Sequence, residues 1–326
     1  MTFYMILSLS TFLLSLLGTR VMILAARKRL SPLDRHGKPK RMIPSGGGVV
    51  VVMSLIIGLL VADIHYAVVL SMFLLAAVSL LSDIIDVPAP VRWLIYILAV
   101  MIPVNLIPHP IFSDALPAWL DKSIMIALWV WCIHVFTAMD NIDGMTSTEM
   151  ICVATGLSLI VSINGGFPNP LSVYGLIVMS VACGFFWWNW YPAKILLGEV
   201  GSAPVGFFIG YMLFMAMLSG YGYAAMILPA YYFCDVTFTC LRRILSRFMK
   251  KPVLSEPYYL LAVRGGRRHD SVVRYVFGLN FLLGLLATFS VLYPALKHEL
   301  LVAAYICTLI ILRFFAFTPC TKDEPF

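Results

Sequence analysis

Long apolar runs restrict what this chain can fold into more than any other feature. Several of them, such as residues 3–25 and 272–294, approach the ~20 consecutive apolar residues that a helix needs to cross a bilayer. Hydrophobic residues make up 61% of the sequence and charged residues only 12%, whereas soluble domains are roughly 45–50% apolar and about 25% charged. Because unpaired backbone groups inside lipid cost several kcal/mol each, each run must be helical. The sequence therefore predicts an all-α, polytopic integral membrane protein.

The runs predict about eleven transmembrane helices, counted as ten to eleven because some runs are short. The predicted spans are residues 3–25, 47–64, 66–82, 91–108, 122–139, 146–163, 171–188, 203–218, 222–241, 272–294 and 298–315. The first run has no charged segment before it and no small-residue cleavage site, so we expect it to remain as a span. Without an internal repeat or a low-complexity tract, the chain 1–326 reads as a single transmembrane domain.

The distribution of Lys and Arg predicts the orientation. Eleven spans place the basic loops 26–46 and 242–268 on one side, while the opposite side has only Lys122 and Lys297. The positive-inside rule assigns the basic side to the cytoplasm and the N-terminus to the outside. The net charge of +7 then reflects loops beside anionic lipid, so we expect no nucleic-acid partner. The seven cysteines show no spacing typical of zinc ligands.

Two acids directly follow the fifth run, in "FTAMDNIDGMTSTE". Asp140 and Asp143 are three residues apart, so they share one face if the helix continues through them, and Gly144 then permits a turn. Two carboxylates at this spacing suit Mg²⁺, which takes one or two carboxylates plus substrate phosphates. The alternative is an ordinary helix end with solvated acids, but acids there oppose the helix dipole. The pattern favours a functional site.

Other polar segments also lie on the predicted cytoplasmic side. In "LLSDIIDVPAPVRW", Asp83 and Asp86 follow the third run, and a functional pair and an interfacial cap are equally good interpretations. In "WWNWYPAKILLGEVGSAPVGF", glycines flank Glu199 and Ser202. Glycines allow backbone amides to approach phosphate, although small residues also serve close helix packing. The triple glycine in "MIPSGGG" is a weaker phosphate signal.

These segments together resemble the polyprenyl-phosphate N-acetylhexosamine-1-phosphate transferase superfamily. "FFWWNWYPAKILLGEVGSAPVGF" is similar to the family pattern N-x-x-P-A-K-x-F-x-G-D-x-G-S-x-x-x-G. "WCIHVFTAMDNIDGMTS" is similar to N-x-x-N-x-x-D-G-x-D-G, and "LLSDIIDVPAPVRW" resembles the Asp-Asp loop. "KRMIPSGGG" and "CDVTFTCLRRILSR" resemble two further family segments. The matches keep their order over nearly the whole chain.

The resemblance implies a reaction and a set of partners. A polyprenyl phosphate held in the inner leaflet of a bacterial cytoplasmic membrane attacks the β-phosphate of a UDP-sugar. The products are polyprenyl-diphospho-sugar and UMP, and the reaction begins a cell-envelope glycan. Mg²⁺, or Mn²⁺ in its place, is the implied cofactor, and the resemblance leaves homodimer formation open.

The resemblance also implies site residues, carried over from matching positions. The implied catalytic residues are Asp83, Asp140 and Asp143, and the implied metal ligands are Glu199 and Asp140. The implied substrate-binding residues are Asn141, Ile142, Asn189, Lys194, Gly201 and Ser202. Asn141, Ile142 and Asp143 would lie beside the uridine, and Asp83 near the lipid phosphate.

The sequence departs from the family pattern at several of these positions. Ser82 replaces the first acid of the Asp-Asp pair, and Asn141 replaces a glycine. The family's H-x-x-H-x-Y-Q loop, which grasps the diphosphate, aligns with "LSEPYYL", where Tyr259 survives and His269 follows farther on. As fixed cations, three arginines are candidates for the lost phosphate contacts. They are Arg264, Arg267 and Arg268.

Two other functions stay open from the sequence. A homologue without catalysis would keep the nucleotide or lipid pocket for binding or assembly. A transporter would need acids near the bilayer midplane, whereas the predicted topology puts the acids at one surface. A sugar-1-phosphate transferase is therefore the preferred prediction.

Overall fold

The computed structural model describes residues 1–29, 43–82, 87–105, 107, 116–249 and 256–317. This part of the chain forms thirteen α-helices and one short 3₁₀-helix, Pro294–Leu296. The α-helices are α1 (Thr2–Arg29), α2 (Gly47–Val61), α3 (Tyr66–Ser82), α4 (Ala89–Val104), α5 (Ala118–Met139), α6 (Met145–Gly165), α7 (Pro170–Asn189), α8 (Glu199–Leu218), α9 (Gly222–Ile227), α10 (Ala230–Met249), α11 (Tyr258–Arg264), α12 (His269–Leu292) and α13 (Lys297–Ala316).

The predicted fold class is confirmed. Within the described residues, seven helices are long and apolar enough to cross a membrane, namely α1, α5, α6, α7, α8, α12 and α13. The apolar helices α2, α3 and α4 are shorter. The protein is therefore an all-α polytopic membrane protein, while the number of eleven spans and the orientation stay predictions.

One predicted span is not a continuous helix. The chain 222–241 divides into α9 and α10, with Leu228 and Pro229 between them. Proline lacks a backbone N–H and its ring clashes with the preceding turn, which explains the interruption. α10 then continues to Met249, well beyond the predicted end of the span.

The core lies where α8 packs between α3 and α5. Trp129 of α5 is fully buried, and its indole N–H donates a hydrogen bond of 2.8 Å to the carbonyl oxygen of Phe207 in α8. Outside this core, α1, α12 and α13 expose large apolar side chains such as Ile6, Phe281 and Ile310. An exposed apolar surface of this kind is expected where a helix faces lipid.

The N-terminal ends of α2 and α8 meet at two glycines. A Cβ atom on Gly48 would lie 2.3 Å from the backbone nitrogen of Gly201, so only glycine permits this approach. The amides of Gly47 and Gly48 donate to the carbonyl oxygens of Leu196 and Leu197 at 3.0 and 2.9 Å. The contact fixes the loop before α8 against the start of α2.

Candidate active site

Asp140 and Asp143 lie on a loop rather than on a shared helix face, which corrects the first expectation for this pair. α5 ends at Met139, and Gly144, with φ of 79°, precedes α6. Positive φ is easily adopted by glycine, so the turn predicted at this residue is confirmed. The loop 140–144 therefore joins α5 to α6 and presents both carboxylates at the helix ends.

Both carboxylates bind backbone amides of the loop 190–198. Oδ2 of Asp140 accepts a hydrogen bond of 3.1 Å from the amide of Gly198, and Oδ2 of Asp143 accepts one of 2.9 Å from Ala193. Hydrogen bonds to ionised acceptors are stronger than neutral ones. The two acids thus fasten together segments that are about 50 residues apart in the sequence.

Asn189 braces the same two loops from the end of α7. Its side-chain oxygen accepts hydrogen bonds from the Gly144 amide at 3.1 Å and the Ser147 hydroxyl at 3.0 Å. Its side-chain nitrogen donates to the carbonyl oxygen of Ile195 at 3.1 Å. Because Asn189 is buried, its contacts indicate that it stabilises the conformation of the two loops rather than binding a ligand directly.

Glu199 begins α8 directly after Gly198, the residue whose amide binds Asp140. Its carboxylate pairs with the guanidinium of Arg92 at 2.5 Å and accepts from the hydroxyl of Ser82 at 3.3 Å. A carboxylate at a helix N-terminus is stabilised by the helix dipole. This arrangement brings the ends of α3 and α4 to the same place. The predicted residue Asp83 lies outside the described residues.

The pKa of Asp140 is raised to about 7 by burial, and hydrogen bonds from Thr146 and Gly198 offset part of that effect. The hydroxyl of Thr146 lies 2.7 Å from Oδ1 of Asp140. The side chain of Asp140 is nevertheless partly exposed, so a water-soluble ligand can reach it. At neutral pH a divalent cation would therefore compete with a proton for this carboxylate.

The described residues contain no group of three or more His, Cys, Asp or Glu side chains that could hold a metal by themselves. The donor set still fits Mg²⁺, because this ion takes one or two protein carboxylates and completes its shell with water and substrate phosphates. Asp140 and Glu199 are two such carboxylates, linked through Gly198.

His269 approaches the site from the start of α12. Its Nδ1 atom is buried without a hydrogen-bond partner and lies 4.0 Å from Oδ1 of Asp143. The imidazole ring is 5.6 Å from the ring of Tyr191, between ring centroids. The imidazole of His269 thus lies near one of the two carboxylates of the loop 140–144.

The three arginines before α12 have different surroundings. Arg264 pairs with Glu256 at 2.5 Å, and the guanidinium of Arg267 lies 3.9 Å from the ring centre of Phe314. Arg268 lies 5.5 Å from the ring centre of Tyr191 in the loop 190–198, and it also pairs with Asp270. Arg268 thus contacts the loop 190–198, whose amides bind the two carboxylates.

The remaining predicted substrate residues differ in accessibility. Asn141 is exposed and donates a hydrogen bond to Tyr259, whereas Ile142 is buried. The ammonium group of Lys194 lies 4.9 Å from the ring centre of Trp188. Gly201 and Ser202 are buried in the first turn of α8, where both amides donate to the carbonyl oxygen of Gly198. Close packing of α8 is therefore sufficient to explain small residues at positions 201 and 202.

Sequence reasoning missed three residues that hold the site. Thr146 binds Asp140, Arg92 pairs with Glu199, and Asp235 accepts hydrogen bonds from the amides of Tyr258 and Tyr259. A carboxylate inside a mostly apolar helix is a functional signal in itself, and Asp235 has this signal. The pairing of Arg92 with Glu199 depends on tertiary contacts between distant segments.

Comparison with known proteins gives consistent relatives. A model of the glycosyl transferase family 4 matches residues 65–217. The chain is 23% identical to a probable undecaprenyl-phosphate N-acetylglucosaminyl 1-phosphate transferase of Bacillus subtilis, over 83% of this chain and 82% of that protein. It is 26% identical to a phospho-N-acetylmuramoyl-pentapeptide-transferase of Helicobacter hepaticus, over 51% of each chain.

A third relative matches two thirds of this chain. It is a putative UDP-N-acetylglucosamine–dolichyl-phosphate N-acetylglucosaminephosphotransferase of Sulfolobus acidocaldarius, 24% identical over 66% of this chain and 70% of its own length. The region matched by the family model contains Asp140, Asp143, Asn189 and Glu199. The helices α10 to α13, with His269 and the three arginines, lie after it.

Proposed function

Because this chain belongs to the polyprenyl-phosphate sugar-1-phosphate transferase superfamily, we propose that it transfers a sugar 1-phosphate from a UDP-sugar to a membrane polyprenyl phosphate. The sugar is of the N-acetylhexosamine type, in keeping with the names of its relatives. An oxygen of the lipid phosphate forms a bond to the β-phosphorus of the UDP-sugar. The bond from that phosphorus to the bridging oxygen breaks, and UMP leaves.

The main observation in support of this proposal is that Asp140 and Asp143 join the loops 140–144 and 190–198 through hydrogen bonds. Both loops are at the ends of apolar helices, so a lipid tail can stay in the bilayer while its phosphate meets a soluble nucleotide. Phosphoryl transfer depends mainly on positioning and on electrostatic stabilisation. Fixed loops with carboxylates on them suit both requirements.

The residues have distinct roles in this proposal. Asp140 and Glu199 would hold Mg²⁺, which when bound neutralises charge on the diphosphate. Asp143, held by the Ala193 amide, and Asn141, exposed beside it, face the nucleotide. His269 offers a hydrogen-bond donor next to Asp143, in place of the histidines absent from "LSEPYYL". We place the reaction at the cytoplasmic face of a bacterial inner membrane, as the first step of a cell-envelope glycan.

The test is release of UMP by the purified protein with polyprenyl phosphate, Mg²⁺ and several UDP-sugars. We expect one UDP-sugar to give UMP and a diphospho-lipid, and Asp143→Asn to abolish both. Asp63→Asn is the matched control. Asp63 follows α2 at the end opposite to Gly47, about 22 Å away along a helix of 15 residues, and its φ of 56° is tolerated by asparagine.

The same assay distinguishes a homologue that only binds its ligands. Such a protein would be stabilised against heat by a uridine nucleotide and would release no UMP from any UDP-sugar. Equal turnover by Asp143→Asn and the wild-type protein would also refute the proposed site, because it would exclude the loop 140–144 from the reaction.

A further inference from the structure

A separate groove lies between α10, α11 and α13. Its volume is about 750 Å³. The residues that line it are Phe238, Arg242, Tyr258, Ile306, Leu309, Ile310, Leu312, Arg313 and Ala316. None of these residues belongs to the loops 140–144 or 190–198, so the groove is distinct from the candidate active site.

The groove is apolar along most of its length and basic at one end. Ile306, Leu309 and Ile310 expose about half or more of their side chains along α13. Arg313 follows Ile306 by seven residues, which is about 10 Å along the helix axis. On the opposite wall Arg242 comes one turn after Phe238 in α10. An apolar channel therefore leads to a pair of guanidinium groups.

Neither guanidinium is neutralised by an ion pair within the described part of the chain. Arg242 donates to the carbonyl oxygen of Glu256 at 2.8 Å and to the hydroxyl of Thr239 at 3.3 Å, and it stacks 4.0 Å from the ring centre of Tyr258. Its Nε atom is buried and has no hydrogen-bond partner. Arg313 stacks 3.8 Å from the ring centre of Phe317.

Two carboxylates near Arg242 in the described part of the chain are already engaged. Asp235, which acts electrostatically on Arg242, accepts hydrogen bonds from two amides at the start of α11. The carboxylate of Glu256 pairs with Arg264. A buried donor without a partner is costly, so the guanidinium pair favours an anion that comes from outside the chain.

We propose that this groove binds an anionic glycerophospholipid, with its phosphate between Arg242 and Arg313 and one acyl chain along α13. Arginine binds phosphate oxygens through charge-assisted, directional hydrogen bonds. Ile306, Leu309 and Ile310 match the hydrocarbon chain, and the exposed apolar face of α13 gives the chain direct entry from the bilayer. The occupant is a structural lipid rather than the reacting one, since Tyr258 of α11 lines the groove while the next residue, Tyr259, contacts the loop 140–144 from the other side.

The experiment measures lipid binding by the full-length protein, purified in a neutral detergent and titrated with phosphatidylglycerol in native mass spectrometry. The double variant Arg242→Gln with Arg313→Gln is expected to bind at least about tenfold more weakly, because both charge-assisted contacts to the phosphate are lost. Arg20→Gln is the matched control, because Arg20 is an exposed arginine on α1. It should bind as the wild-type protein does.

A single variant and a second lipid separate the charge contact from an effect on the fold. Arg313→Gln alone removes a side chain whose described contact is the ring of Phe317, so it keeps the fold and should still weaken binding severalfold. Phosphatidylcholine should bind more weakly than phosphatidylglycerol, because its net charge is zero. Equal binding of the two lipids, or equal binding by the double variant and Arg20→Gln, would overturn the proposal.

Two further outcomes would assign the groove to another occupant and so reject the phospholipid. Displacement of phosphatidylglycerol by polyprenyl phosphate at equal concentration, with a raised KM for that substrate in Arg313→Gln, would make it a substrate groove. A change from dimer to monomer in Arg313→Gln, without a change in lipid binding, would make it an interface between two copies of the chain.

Discussion

Replacing Tyr259 by phenylalanine tests whether α11 positions the loop 140–144. The buried hydroxyl of Tyr259 donates to the carbonyl oxygen of Ala138 at 3.1 Å and accepts from the side-chain nitrogen of Asn141 at 2.9 Å. Burial raises the pKa of Tyr259 above its ordinary value, so the hydroxyl stays protonated over the working range of pH. Asp235 in turn holds the start of α11 through two backbone amides.

The magnitude follows from the two hydrogen bonds that Tyr259→Phe removes. Each contributes about 0.5–1.5 kcal/mol net, so the free energy of unfolding should fall by about 1–3 kcal/mol. If half of this energy holds the loop in its working geometry, kcat should fall about twofold to tenfold while KM changes little. Phenylalanine fills the same volume, which leaves the packing of α11 unchanged.

The assay combines thermal unfolding in detergent with steady-state transfer kinetics. Tyr293→Phe is the matched control, because Tyr293 is 56% exposed and follows α12. Unchanged kcat in a destabilised Tyr259→Phe protein would refute the reasoning, since the hydroxyl would then stabilise the fold without positioning the loop. A change in KM alone would refute it as well, because it would indicate a direct contact with substrate.

Three other substitutions test separate contacts. Thr146→Val removes a hydrogen bond that stabilises the carboxylate form of Asp140, so the pKa of Asp140, about 7, should rise by about one unit. The acidic limb of the pH–rate profile should then shift to higher pH, whereas Thr146→Ser should leave it in place. Glu149→Ala should lower the free energy of unfolding by about 2–3 kcal/mol, because the buried side-chain amide of Asn280 in α12, which donates to Glu149 at 2.6 Å, loses its acceptor. Glu149→Gln should lower the free energy of unfolding by less than half of that, as measured by thermal unfolding. Arg268→Ala should lower kcat/KM more than Arg264→Ala, because only the former contacts the loop 190–198, and the reverse order would exclude it from phosphate binding.

The sequence predicts the helical elements well because apolar runs of span length have one solution in lipid. Ten of the helices overlap a predicted span closely enough that only their ends differ, as with α6 at Met145–Gly165 against residues 146–163. The exception is the run 222–241, where the apolar composition continues through Pro229. Composition measures the hydrophobicity of a segment, whereas the interruption of the helix at Pro229 depends on one missing backbone N–H.

The sequence predicted Asp140, Asp143 and Asn189 as residues of one candidate site, and the structure connects them through two loops, but their internal geometry was not predicted. Spacing indicated that Asp140 and Asp143 act together, yet their shared helix face was wrong, because α5 ends before them. What orders the pair is a set of hydrogen bonds to Ala193 and Gly198, about 50 residues later in the sequence. A single sequence gives no measure of such long-range pairing, and the same holds for Arg92 with Glu199.

The different surroundings of Asp140 and Asp143 imply different roles in the proposed reaction. Asp140 carries a raised pKa of about 7 and meets only neutral donors, Thr146 and Gly198. A carboxylate oxygen has more than one lone-pair site, so a cation can bind Asp140 without displacing either donor, and its binding would release a proton near neutral pH. Asp143 instead faces His269, a group that can carry a positive charge of its own. The cation is therefore expected on the Asp140 side and the nucleotide on the Asp143 side, and the Mg²⁺ concentration that gives half of the maximal rate should rise as the pH falls below about 7.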